Sequence, residues 1–163
     1  MAVHVDAGTL EMLDKDDLAG ALSLLPGLTL TRFGGRNETA VNVRGFSRTQ
    51  TPIFIDGVPV YVPYDGIVDL GRFTTYDVAS ISVARGYSSA LLGPNTMSGA
   101  INVITRQPVR AFEGQFSASV SSGEGYQGSL NVGSRQKLWY FQAGASYVTQ
   151  DDYPLSDKFV PGT

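Results

Sequence analysis

Between Phe112 and Thr149 the chain switches between apolar and polar at nearly every residue. Phe112, Gly114, Phe116, Ala118 and Val120 alternate with Glu113, Gln115, Ser117, Ser119 and Ser121. Tyr126, Gly128, Leu130 and Val132 alternate with Gln127, Ser129, Asn131 and Gly133, and Trp139, Phe141, Ala143, Ala145 and Tyr147 with Tyr140, Gln142, Gly144 and Ser146. Successive strand side chains point to opposite faces, so a period of two specifies strands with one apolar and one polar face. Gly123-Glu124-Gly125 and Ser134-Arg135-Gln136-Lys137 join the three strands. An antiparallel sheet with one wet face satisfies this pattern in a soluble protein. Two details favour a membrane barrel instead. The strands approach the roughly 9–11 residues that cross a bilayer at a tilt, and their aromatics (Phe112, Tyr126, Trp139, Phe141, Tyr147) gather at the ends, as interfacial girdles do. Bacterial barrels need at least about 8 strands. Three make a fragment of something larger.

The preceding stretch has a different grammar. Thr9 to Leu25 predicts a helix running to about Leu24, with Leu10, Leu13, Leu18, Leu22 and Leu25 on one face and Asp14 or Asp16 as its cap. Pro26-Gly27 stops it. Strands are predicted at Leu28–Arg32 and Ala40–Val43, separated by Gly34-Gly35, and at Val78–Val83 and Ala100–Ile104, with a helical turn at Ser89–Leu92. Ile53–Ile55 and Val58–Val60 flank Asp56-Gly57, a strong hairpin signal, because a type I′ turn needs positive φ at both central positions. These elements form a compact α+β unit with a mixed β-sheet, ending near Pro108.

Composition closes off several functions. Charged residues are only 17%, and 19 glycines suit tight turns better than helices. The net charge of −3 supplies no global positive field for nucleic acid. Without cysteine there is no disulfide framework and no thiolate metal site. His4 is the lone histidine, which leaves no triad and no multi-histidine metal centre. Gly93 to Gly99 lacks the lysine of a phosphate loop, and Gly86–Ala90 lacks the second glycine of a nucleophile elbow. The chain is expected not to be an enzyme and to need no cofactor. There is no leader at Met1 and no apolar run of about 18 residues for a transmembrane helix. For an outer-membrane protein, Met1 then marks the start of a piece whose leader is gone.

Six motifs stand in a recognisable order: Leu25-Pro26-Gly27, Val43-Arg44-Gly45-Phe46, Phe54-Ile55-Asp56-Gly57-Val58-Pro59-Val60, Val83-Ala84-Arg85-Gly86, Leu92-Gly93-Pro94-Asn95, and Gly99 through Arg106. In that order they resemble the plug domain of a TonB-dependent outer-membrane receptor of the siderophore type. The resemblance covers nearly the whole chain. It implies a plug over residues 1–109 and the first three strands of a truncated transmembrane β-barrel over 110–163, with Asp152–Phe159 similar to the extracellular loop after the third strand. The receptor would import a ferric siderophore or similar scarce nutrient, with TonB supplying the work.

The resemblance also assigns roles. Arg44 and Arg85 would face the barrel wall and pair with its glutamates, a task suited to a planar, always-charged fork. Ligand contact would come from apical loops, with Arg48, Tyr61, Tyr64 and Arg72 as candidates for stacking on and charge-pairing with an anionic, aromatic iron chelate. Tyr61 and Tyr64 also fit as ordinary amphipathic loop residues. The energy-coupling segment precedes the plug helix and pairs edge-on with TonB. Either Met1–Val5 serves in that place or the segment lies upstream. Two other readings compete: a stand-alone soluble binding module with 110–163 folded back on it, and a periplasmic hydrolase, for which no catalytic group is evident.

Overall fold

A computed structural model describes residues 2–34, 38–46, 50–60, 68–85, 98–121 and 125–149. The chain divides into two compact units, Met1–Gln107 and Pro108–Thr163.

The first unit is built on a five-stranded mixed sheet in the order β1-β6-β7-β4-β5. Its strands are β1 (Ala2–Asp6), β4 (Ile53–Ile55), β5 (Val58–Val60), β6 (Val78–Arg85) and β7 (Gly99–Thr105). β4 and β7 pair in parallel, whereas the other pairings are antiparallel. A separate hairpin joins β2 (Leu28–Phe33) to β3 (Glu38–Val43). Ile81, Val83, Ile101 and Val103 bury one face of the sheet in a core shared with Leu10, Leu18, Leu22, Leu25, Val41 and Leu70.

The apolar stripe expected to make one helix makes two, α1 (Ala7–Met12) and α2 (Leu18–Ser23). The run Asp14-Lys15-Asp16-Asp17 causes the break. Aspartates compete for backbone amides and favour caps over helix interiors. Asp14 turns left-handed at φ 50°, and the Lys15 amide donates back to the Leu10 carbonyl at 3.0 Å. The caps are therefore neither Asp14 nor Asp16. Asp6 Oδ1 accepts from the Thr9 amide at 2.8 Å to start α1, and Asp17 Oδ1 accepts from the Gly20 amide to start α2. Leu13, expected on the buried face, lies in the break and is 46% exposed.

The Asp56-Gly57 hairpin forms as expected. Ile55 pairs with Val58, and both turn residues have positive φ, 50° and 80°. The predicted turn at Ser89–Leu92 lies outside the described residues.

The second unit is a three-stranded antiparallel sheet, β10-β9-β8, made by β8 (Glu113–Ser121), β9 (Gly125–Arg135) and β10 (Tyr140–Thr149). The register aligns like with like. Phe116, Leu130 and Ala145 form one row of the apolar face, and Ser117, Ser129 and Ser146 one row of the polar face.

Candidate functional site

Sheet topology gathers several strand ends of the first unit at one end. Parallel pairing puts the starts of β4 and β7 together, with Ile53 opposite Ile101. Antiparallel pairing brings the end of β5 to the same place (Val60 opposite Ile53) and the end of β6 beside it (Arg85 opposite Gly99). Segments 47–49, 61–67 and 86–97 all connect to these strand ends. Arg48, Tyr61 and Tyr64 belong to those segments and lie outside the described residues.

A buried polar pair fastens this end. The Ser98 hydroxyl donates to the Gln50 carbonyl at 2.7 Å, so the Thr51 hydroxyl donates its own proton to Ser98, also at 2.7 Å. Both side chains are buried, and the Ile101 amide donates to Pro52 O alongside them. Sequence reasoning passed over Thr51 and Ser98, because neither belongs to a motif and their partnership spans the whole of β4 to β6.

The opposite end is closed by the hairpin turn. The Asp56 carboxylate accepts from the Thr105 amide (2.9 Å) and hydroxyl (2.6 Å), and the Gly57 amide donates to Asn102 Oδ1 at 3.1 Å. One residue on, Arg106 Nη2 meets Glu11 Oε1 at 2.6 Å and its Nε donates to Val78 O. The end of β7 and the residue after it are thereby tied to the hairpin, α1 and β6. Burial first, and then the nearby charges of Asp16 and Asp14, push the Tyr76 phenol up to about 12.

Of the arginines singled out, Arg44 occupies a two-residue turn with Gly45 at φ 51° and 81°, closed by the Phe46 amide donating to Val43 O at 2.9 Å. Its own amide donates to Gly27 O at 3.0 Å, and its side chain is exposed. Arg85 is the final residue of β6. Arg72 ends a single 3₁₀ turn (Leu70–Arg72), where its Nε donates to Asp69 Oδ2 at 3.0 Å while the side chain stays 71% exposed. Asp69 Oδ1 also accepts from the amides of Thr39 and Gly71. Asp17, Arg32, Asp69 and Arg72 line a cavity of about 380 Å³ with Gly20 and Thr39. Both of its carboxylates accept from backbone amides, Asp17 capping its own helix and Asp69 bracing β3 against the 3₁₀ turn. No group of three or more metal-ligating side chains occurs among the described residues.

The N-terminal segment considered for coupling is not a free strand. Residues 2–6 are β1, and one of its edges is taken by β6.

The second unit presents its apolar face outward. Phe116 is 75% exposed, Tyr147 71% and Leu130 50%; on the polar face Ser129 and Asn131 of the central strand are buried, while Ser117 and Ser146 on the flanking strands are exposed. A water-soluble sheet covers such an apolar face. No helix among the described residues is long and apolar enough to cross a membrane. The strands, of 9, 11 and 10 residues, are long enough to do so.

Residues 1–100 match the family model of the TonB-dependent receptor plug domain. The chain belongs to that family. Over 158 residues, 94% of the chain and 25% of the relative, it is 32% identical to the vitamin B12 transporter BtuB of Vibrio cholerae. It is 31% identical to the pesticin receptor of Yersinia enterocolitica over 112 residues, 67% of the chain and 16% of the relative. Among solved structures, the pyoverdine receptor FpvA of Pseudomonas aeruginosa superposes with a TM-score of 0.81 at 18% identity, over 94% of this chain and 22% of that one. The ferric yersiniabactin uptake receptor FyuA of Yersinia pestis gives 0.72 at 24% identity, over 92% and 24%. The chain thus spans a quarter or less of the length of these relatives. They are receptors and transporters, and the plug family is not an enzyme family.

Proposed function

We propose that residues 1–109 plug, and residues 110–163 begin, the barrel of an outer-membrane receptor that imports a ferric siderophore or similar scarce nutrient. The bare apolar face of the second unit's sheet supports this reading. A plug fold followed directly by strands with apolar side chains turned outward is what a lipid-embedded wall requires. The relatives named for yersiniabactin, pyoverdine and vitamin B12 support a chelate or similarly scarce nutrient as cargo.

The loop end of the sheet, with Arg48, Tyr61 and Tyr64, receives the ligand, and Arg72 adds charge from its 3₁₀ turn. The exposed Arg44 side chain and the end of β6 at Arg85 suit contacts with wall carboxylates, seating the plug that gates the pore. TonB engages the periplasmic side of the receptor and drives the plug's displacement.

The full-length receptor, expressed in a host stripped of its own siderophore receptors, tests the whole reading. Uptake of an iron-labelled chelate from a panel, lost on deletion of TonB, is the expected result. Arg48→Ala or Tyr61→Ala should weaken equilibrium binding by about 10- to 150-fold, the worth of one charge-assisted contact. Arg44→Ala and Arg85→Ala should raise passive dye leak and spare binding. If no chelate or cobalamin enters by a TonB-dependent route, the transport assignment is wrong.

A further inference from the structure

Among the described residues of the second unit, the cations are confined to one end of its sheet. Between residues 108 and 149 the charged side chains are Arg110, Glu113, Glu124, Arg135 and Lys137. The three cations meet where β8 begins, β9 ends and β10 begins. The Arg135 amide donates to Arg110 O at 2.9 Å, and the Gln136 amide donates to Trp139 O at 2.8 Å, closing the turn that holds Lys137. Glu113, the acid at this end, turns its carboxylate to the amides of Val109 and Arg110 at 3.2 and 3.3 Å. Arg135 directs Nη1 to Pro108 O at 3.4 Å. The side chains of Arg110 and Lys137 are exposed.

Around them stands apolar surface: Leu138 is 96% exposed, Val109 77%, Phe112 74% and Trp139 57%. Tyr126 and Tyr147 mark the far end of the apolar face, where the described residues carry no cation. An aromatic belt alone suits any bilayer interface. Cations restricted to one belt add complementarity to negatively charged headgroups.

We propose that this end of the sheet anchors the protein to anionic phospholipid. Arg110 and Lys137 meet headgroup phosphates, while Phe112, Leu138 and Trp139 enter the acyl boundary below them. The inference rests on the reading of β8–β10 as membrane-spanning strands, and it adds the chemistry of the lipid they meet at one interface.

Trp139 is the only tryptophan, so its emission reports on this end alone. The 163-residue chain, diluted from detergent, is titrated with vesicles of phosphatidylcholine and with vesicles in which roughly one-third is replaced by phosphatidylglycerol, each cation being worth about five-fold at an anionic surface. A blue shift with both compositions is expected, with partitioning about 25-fold stronger into the anionic vesicles at low salt. Arg110→Gln with Lys137→Gln should bring that ratio close to one while leaving partitioning into phosphatidylcholine unchanged. Arg110→Lys with Lys137→Arg should preserve the ratio, as should the single-charge control Lys15→Gln in the first unit. Equal partitioning of the wild-type chain into both compositions overturns the headgroup assignment. So does a preference that survives the double glutamine variant, which places the attraction elsewhere. A chain that enters neither vesicle overturns the membrane-strand reading and this inference with it.

Discussion

Two short turns in the first unit share a backbone conformation and differ in what their side chains do. Arg44-Gly45 and Asp56-Gly57 both place two consecutive residues at positive φ. Arg44 leaves its side chain exposed, whereas Asp56 spends both carboxylate oxygens on Thr105. Gly57→Val should therefore cost about 1 kcal/mol or more through backbone strain alone. Asp56→Ala should cost about 2 kcal/mol, because it loses charge-assisted hydrogen bonds as well as a residue tolerant of positive φ. Asp56→Asn should fall between wild type and alanine. Urea denaturation of the three variants gives the order, and an alanine variant as stable as wild type would dissociate the carboxylate from the hairpin's stability. Tyr76 supplies a pH test. Its phenol is pushed up to about 12 in the fold, against about 10 in an unfolded chain. Between those values the unfolded state has lost a proton that the folded state keeps, so stability falls as pH rises from 10 towards 12. Below that window the residue contributes no pH dependence. Tyr76→Phe should flatten the alkaline limb of a melting-temperature profile, and an unchanged limb would assign the loss to other groups. The Asp-Gly turn was legible in the sequence because its chemistry is local. Asp69 and Arg72 were not read as a brace, because Thr39, which Asp69 also holds, comes from another element.

Elements were legible where the signals agreed and misread where they competed. The strands from β2 to β10 fall close to their expected positions because alternation and glycine punctuation agree. The helix from Thr9 to Leu25 was predicted whole because leucine spacing was weighed above the aspartates inside it. In the structure the aspartates prevail, since each cap satisfies amides that a short helix leaves open. Asp17→Ala should accordingly cost about 1 kcal/mol, read as a lower urea midpoint with unchanged slope. Asp16→Ala, which removes no cap, should cost less, and the reverse order would return the cap to the position first expected. The bare apolar face makes a prediction of opposite sign. Replacing Phe116, Leu130 and Tyr147 by serine should improve solubility without detergent, because these side chains are exposed. In a soluble sandwich the same triple change would empty a core and unfold the protein.

At the scale of the molecule, the outer edges of β8 and β10 have no strand beside them among the described residues, and their apolar face is bare. Such edges recruit further strands. The 163-residue chain should oligomerise or require detergent, while a version ending at Gln107 should be markedly more soluble. A stable detergent-free monomer of the whole chain, seen by light scattering, would favour the soluble-module reading. The order of strands across the first sheet has a further consequence, in time. β7 lies between β6 and β4, yet it is the last of the five to be synthesised. Until residues 99–105 emerge, Ile53 and Ile81 have no strand between them to share, and the sheet consists of two unconnected margins. Non-local pairing of this kind delays folding. A chain passed through a narrow channel from its N-terminus would therefore stay threadable until almost all of the first unit had crossed. A fragment ending at Ser98 should show no cooperative unfolding transition, whereas one ending at Gln107 should melt as a unit.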